Sequence, residues 1–143
     1  MKSIKLISVL TIALILFGCA SLDKHGTTIN YEGHPIIGTW SFDMNDCTET
    51  YEFLPDGTRN CTSAEEVVQA VYRISAKPLE SGFYRITDKV IKDNGKRDCS
   101  GSTKDMTGDV VDLYIKFNQQ MNQILFCSDE SLDKCFGPFR KNQ

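Results

Sequence analysis

Among 143 residues there are only two histidines, His25 and His34, and one tryptophan, Trp40. So little imidazole leaves acid–base chemistry and metal binding few residues to draw on. No Cys-x-x-Cys occurs, so neither a metal nor any other cofactor is expected. Phosphate-binding and dinucleotide fingerprints are missing as well, and no internal repeat or low-complexity segment is visible. The 16 Lys and Arg residues form no cluster and are outnumbered by 19 Asp and Glu. That balance excludes nucleic acid as a partner and argues against an electrostatic grip on anionic lipid. The apolar run at residues 6–17 measures about 18 Å as a helix, too short for a hydrocarbon core of about 30 Å.

What is present begins with that run. Lys2 and Lys5 precede it and only Ser8 and Thr11 interrupt it, which is the anatomy of a signal peptide's charged and apolar regions. The tetrapeptide Leu16-Phe17-Gly18-Cys19 that follows resembles the lipobox of bacterial lipoproteins. The resemblance implies cleavage after residue 18, a diacylglycerol on Cys19 and an N-acyl chain on the new terminus. Such a multi-chain anchor meets the requirement for stable membrane attachment. Ala20, where an aspartate would direct retention, implies the outer membrane, on its periplasmic face or at the cell surface. Residues 1–18 are thus expected to be lost. The mature chain keeps 14 basic and 19 acidic residues, a net charge near −5.

Export places the remaining cysteines, Cys47, Cys61, Cys99, Cys127 and Cys135, in an oxidising compartment, where disulfides are the default. Five is an odd number, so two bridges leave one thiol over, and sequence alone does not choose among the pairings. The pairs nearest in sequence, Cys47 with Cys61 and Cys127 with Cys135, are favoured.

Residues 19–35 are polar and without period, which reads as a lipidated tether; order is expected from residue 36 to residue 143. Within that span the apolar positions recur every second residue. Val111, Leu113, Ile115 and Phe117 alternate with Asp112, Tyr114 and Lys116, and similar runs hold Trp40, Phe42 and Met44; Tyr51 and Phe53; Val68, Ala70, Tyr72 and Ile74; Tyr84, Ile86 and Val90. Residues 124–127 make a further short strand. Turn signals such as Leu54-Pro55-Asp56-Gly57 separate the runs, and connections this short join antiparallel neighbours. Ser63-Ala64-Glu65-Glu66 fits a helix capping box, but the β-branched run behind it favours strand from Val67. The expected fold is all-β: an antiparallel up-and-down barrel or bent sandwich of seven to eight strands. Following the chain up and down puts all five cysteines at one end, where disulfides would staple a domain of modest core.

Gly38-Thr39-Trp40, at the head of the first strand, resembles the Gly-x-Trp signature of lipocalins and of smaller lipocalin-like bacterial lipoproteins. The resemblance implies a barrel whose tryptophan closes one end beneath a late arginine, for which Arg140 is the match, and makes Trp40 a candidate ligand contact. The Thr-Asp-Tyr signature of the family is not matched.

No catalytic residue emerges. Asp98-Cys99-Ser100-Gly101-Ser102 gathers an acid, a thiol and two hydroxyls, but both histidines fall before the expected domain and no base is at hand. Glu65-Glu66 and Asp129-Glu130 are adjacent pairs, which a strand would point to opposite faces. The expected function is therefore non-catalytic: a lipid-anchored, envelope-facing binding domain that serves protein interaction or envelope maintenance, or alternatively carries a small apolar or amphipathic ligand. The many large inward residues favour the first.

Overall fold

A computed structural model describes residues 29–143. The expected signal segment, the lipobox-like tetrapeptide with Cys19, and His25 lie outside the described residues.

Eight strands run up and down in chain order: β1 (Gly38–Met44), β2 (Cys47–Phe53), β3 (Thr58–Ser63), β4 (Glu66–Ile74), β5 (Tyr84–Asp93), β6 (Val110–Phe117), β7 (Gln123–Cys127) and β8 (Cys135–Lys141). Each is hydrogen-bonded antiparallel to its neighbours, and β8 returns to β1 through Trp40 opposite Lys141 and Ser41 opposite Arg140. The sheet is therefore a closed barrel, an architecture that leaves no unpaired strand edge. The period-2 pattern is cleanest in β4, where every second residue from Glu66 to Ile74 is buried and every other one is exposed. One extra residue, Ile91, bulges from β5 between the pairings of Ala70 with Val90 and Gln69 with Lys92.

The two ends differ in construction. At the tryptophan end, beside the β6–β7 connection, the tight β2–β3 turn and the β4–β5 connection meet the segment that precedes β1. That segment, read from composition as tether, is docked from residue 29 onward, which corrects the expected start of order at residue 36. Tyr31 stacks on Tyr72 at 5.2 Å, its backbone N–H donates to the Pro55 carbonyl (2.8 Å), and its hydroxyl accepts from the Ile74 N–H (3.2 Å). His34, expected to lie outside the domain, bonds the Ser75 carbonyl through Nε2 and meets Tyr84 edge-on. Trp40 is fully buried beneath this cover and donates from Nε1 to the Ile36 carbonyl (2.7 Å).

Lys141, not Arg140, lies across the Trp40 ring, with Nζ 5.1 Å from the centroid and bonded to the Pro35 carbonyl (3.2 Å). The difference follows from strand parity. Lys141 is the residue paired with Trp40, whereas Arg140 pairs with Ser41 and is exposed. Gly38 makes room for the lysine stem: at φ +123° it adopts backbone that L residues rarely take, and a Cβ there would sit 3.1 Å from Lys141 Cε.

The cysteine end carries all five cysteines, as the up-and-down reading anticipates. Cys127 and Cys135, directly paired across β7 and β8, form one disulfide. Cys47 joins Cys99, not Cys61, and Cys61 is a buried free thiol. The β2–β3 register explains why. Cys61 pairs with Tyr51, four residues along β2 from Cys47, a separation of about 13 Å at the usual strand rise. Disulfide Cα atoms stand within about 7 Å of one another. Cys99, in the long β5–β6 connection, lies 5.6 Å from Cys47 between Cα atoms. Ser63 locks that connection in place: its hydroxyl accepts from the Cys99 N–H and donates to Glu49 Oε1, both at 2.9 Å. The capping-box residues form no helical turn. Ala64 and Glu65 make a two-residue hairpin turn with Ala64 at φ 52°, and strand resumes at Glu66.

Candidate functional site

Side chains fill the barrel at the tryptophan end. Trp40, Phe53, Tyr72, Ile74, Tyr84, Ile86 and Ile115 belong to one buried cluster, with Phe117 packed against it. Towards the cysteine end the filling is incomplete, and a cavity of about 150 Å³ remains. Phe53, Ile86, Val90, Leu113 and Phe126 supply apolar wall. Val111 and Phe136, which also line it, are 43% and 40% exposed, so they mark its mouth; Met106 reaches it from the β5–β6 connection. Trp40 does not line this cavity; it is packed at the opposite end. A comparable apolar cavity of 150 Å³ admits benzene, whereas drug-sized ligands occupy about 300 Å³ or more. The volume thus limits the guest to a single ring or a short branched chain.

Tyr51, Arg59 and Asp88 bring polar atoms to this wall. Arg59 on β3 and Asp88 on β5 face each other across the interior, because both follow the inward parity of their strands. Arg59 donates from Nε to Asp88 Oδ2 (2.8 Å), and a terminal guanidinium nitrogen makes an ion-pair contact with the same oxygen (2.6 Å). Its guanidinium rests 5.0 Å from the Tyr51 ring centroid. Burial alone would lower the Arg59 pKa, but the charge and hydrogen bonds of Asp88 outweigh it and hold the cation firmly protonated. The other carboxylate oxygen, Asp88 Oδ1, is buried and has no hydrogen-bond partner among the described residues. A buried acceptor left this way costs about 1–3 kcal/mol, so it is a feature that calls for a cause.

Around this pair the remaining groups are held in unreactive states. Cys61 packs with Val68, Val90, Tyr51 and Met106; burial, reinforced by nearby Glu49 and Glu66 and opposed by Arg59, pushes its thiol up to about 12. It is no thiolate at neutral pH and hence a poor nucleophile. Burial first, then the proximity of Cys61 and Glu49, keeps the Tyr51 hydroxyl protonated far above its ordinary range; it donates to Glu49 Oε2 (3.3 Å). Asp98, which suggested chemistry beside Cys99, organises a turn instead. Its Oδ1 accepts from the N–H groups of Ser100 and Ser102 and from the Ser100 hydroxyl, while Cys99 is closed in a disulfide. His34 lies at the other end of the barrel from this loop. Among the described residues, no three His, Cys, Asp or Glu side chains are grouped to hold a metal ion.

Glu66, at the cysteine end of β4, is a carboxylate whose titration reaches neutral pH. It is buried, and desolvation first, then the charges of Asp93, Asp98 and Glu49, raise its pKa from 4.5 to about 7. Between those values the folded chain retains a proton that the unfolded chain has released, so stability falls as pH rises through that window. Glu66→Gln removes the penalty. In urea denaturation the variant is expected to exceed the parent by on the order of 1 kcal/mol at pH 8, after discount for solvent screening, with the gap closing below pH 4.5. A gap that does not change with pH would refute the assignment.

Arg59 and Asp88 were not singled out from sequence, and Glu66 was read only in a capping box and as one of an adjacent pair; for Asp88 the signal was there, since it sits between Ile86 and Val90 on a face already read as inward. The fold and cavity define a small closed antiparallel barrel, filled at one end and recessed at the other. Searches against protein-family profiles, curated proteins and solved structures found no match for the chain.

Proposed function

We propose that this chain is an exported lipoprotein, held on the outer membrane by lipid on Cys19, whose barrel is a non-catalytic, lipocalin-like binding domain for a small amphipathic ligand. The observation that carries the ligand reading is the apolar cavity with exposed Val111 and Phe136 at its mouth. It turns the balance away from a completely filled barrel, which would have favoured a protein partner. A protein partner is the second reading, favoured by Val67, Val71, Ile91 and Val110. These are outward on three adjacent strands and 54%, 45%, 47% and 58% exposed.

Two measurements test the proposal. Labelling of cells with an alkyne-bearing palmitate is expected to mark the parent chain in the outer-membrane fraction and to leave a Cys19→Ala variant unmarked; an unmarked parent would sink the anchor. Native mass spectrometry of the chain from residue 20, before and after organic extraction, is expected to show a small adduct that extraction removes. Val111→Trp, which plugs the mouth from an already exposed position, should prevent the adduct. If the parent carries no adduct and takes up no small aromatic probe, the outward valine and isoleucine face becomes the place to look for a partner.

A further inference from the structure

The outer wall of the barrel carries a feature that neither the cavity nor its ligand uses. We infer that the outward face of β4 and β5, with Val110 of β6, lies on anionic phospholipid of the membrane that holds the Cys19 anchor, an inference that rests on that anchor. Lys89 and Lys92 meet lipid phosphates, and Val67, Val71, Ile91 and Val110 sit at the boundary between headgroups and acyl chains.

Charge is sorted on these two strands, although the chain as a whole is acidic. Glu66, Asp88 and Asp93 follow inward parity: Glu66 is buried, and Asp88 and Asp93 pair with the buried Tyr72 and Val68. The exposed charges, Arg73, Arg85, Lys89 and Lys92, are all positive. The β5 bulge completes the set. Ala70 and Val90, which pair on one side of it, are both buried, whereas Gln69 and Lys92, which pair on the other, are both exposed. Strict alternation from Lys89 would have turned Lys92 inward. Register also sets Lys89 between Val71 and Val110. Acids at the border of the face are engaged: Asp112 with Arg85 (3.8 Å), Asp109 with Lys104 (2.9 Å) and Glu65 with Arg97 (3.7 Å). Among the described residues neither Lys89 nor Lys92 is in an ion pair. Cations set in aliphatic surface suit a lipid interface, where a lysine stem lies along apolar surface and its ammonium reaches phosphate. A protein partner fits less well, because the cores of protein interfaces are enriched in aromatic residues and depleted in lysine. The anchor supplies proximity. Residues 20–28 span at most about 30 Å, the length of the nine-residue β4, so the face lies within reach of the lipid. At that range a contact too weak to hold a free chain still forms.

The test uses the mature chain, residues 19–143, which contains every strand, both disulfides and the docked segment. Cys19 is coupled to a maleimide lipid in nanodiscs; four of the other cysteines are in disulfides and Cys61 is buried. The discs are a two-to-one mixture of phosphatidylcholine and phosphatidylglycerol doped with a lipid bearing a paramagnetic headgroup. Methyl NMR is expected to show Val67, Val71, Ile91 and Val110 broadened at least about fivefold more than Leu125 and Leu132, on β7 and the β7–β8 connection across the barrel. Each basic side chain at an anionic surface strengthens attachment roughly fivefold. Lys89→Gln/Lys92→Gln, at two exposed positions that leave the core untouched, should therefore cut the difference at least about fivefold, as should discs of phosphatidylcholine alone or high salt. Equal broadening on both sides of the barrel overturns the inference, as does a difference that survives the double variant. Broadening of the face that needs no paramagnetic lipid and grows with chain concentration also overturns it, in favour of a second copy. A face that stays clear of the lipid returns it to the protein partner of the second reading. Because the coupling supplies the tether chemically, none of these outcomes bears on the anchor itself, which palmitate labelling decides.

Discussion

Replacing Trp40 with alanine is expected to remove about 3–5 kcal/mol of stability, a large part of the margin of an ordinary small domain. The size follows from what the ring holds together. It is fully buried, meets Phe117 edge-on at 5.9 Å, bonds the Ile36 carbonyl that leads the docked segment into β1, and lies under Lys141 where the barrel closes between β1 and β8. Truncation opens a void at that closure and leaves the Ile36 carbonyl without its indole donor. Trp40→Phe keeps most of the apolar volume and loses the donor and part of the cation–π contact, so about 1–2 kcal/mol is expected. Urea denaturation curves check both values. Cavity-methyl shifts with a small aromatic probe should persist in Trp40→Phe, since the ring does not line the cavity. A cost under about 1 kcal/mol for the alanine variant would mean the closure is held elsewhere. Loss of probe binding in a folded phenylalanine variant would restore the ligand contact that the Gly-x-Trp resemblance implied.

Much of the fold was legible because a period of two survives without knowledge of partners. Once Val111, Leu113, Ile115 and Phe117 share a face, so do their counterparts on the other strands, and short turns leave antiparallel order as the simple solution. Disulfide pairing was not legible for the opposite reason. Cys47 and Cys61 are close in sequence, yet the register separates them, while the long β5–β6 connection folds back to bring Cys99 to Cys47. The docked segment was misread because its contacts are made by single residues, Tyr31 and His34, within a polar stretch that shows no period. The site was half legible. Inward parity alone would have placed Arg59 and Asp88 in the interior, but hydrophobic patterning picks out apolar positions and passes over polar ones on the same face. Only the closed barrel shows that they meet, and that one carboxylate oxygen is left over.

The two disulfides should differ in what they contribute. The Cys47–Cys99 bridge closes a span of 52 residues, and the Cys127–Cys135 bridge a span of 8. If restriction of the unfolded chain dominates, removal of the first should cost about 4 kcal/mol and of the second about 2.5 kcal/mol. Native context points the same way. Cys127 and Cys135 are already neighbours in the β7–β8 ladder, so strand pairing holds them in place without the bond. The Cys47–Cys99 bond instead fastens a long connection whose noncovalent ties to the β3–β4 hairpin are single hydrogen bonds such as Ser63 to the Cys99 N–H, Asn94 to the Glu65 carbonyl, and the Glu65 N–H to the Arg97 carbonyl. That connection also carries Met106 to the cavity. Cys47→Ala/Cys99→Ala should therefore lower the urea midpoint more than Cys127→Ala/Cys135→Ala, and should loosen the Met106 and Val90 methyl signals while those of Ile74 and Ile115, at the tryptophan end, stay sharp. Non-reducing peptide mapping of the parent should find Cys61 alone alkylated, and only after unfolding, because its thiol is buried and protonated. A larger loss from the short bridge would show that the β7–β8 hairpin depends on its covalent tie, and that the cavity end is anchored there and not through Cys99.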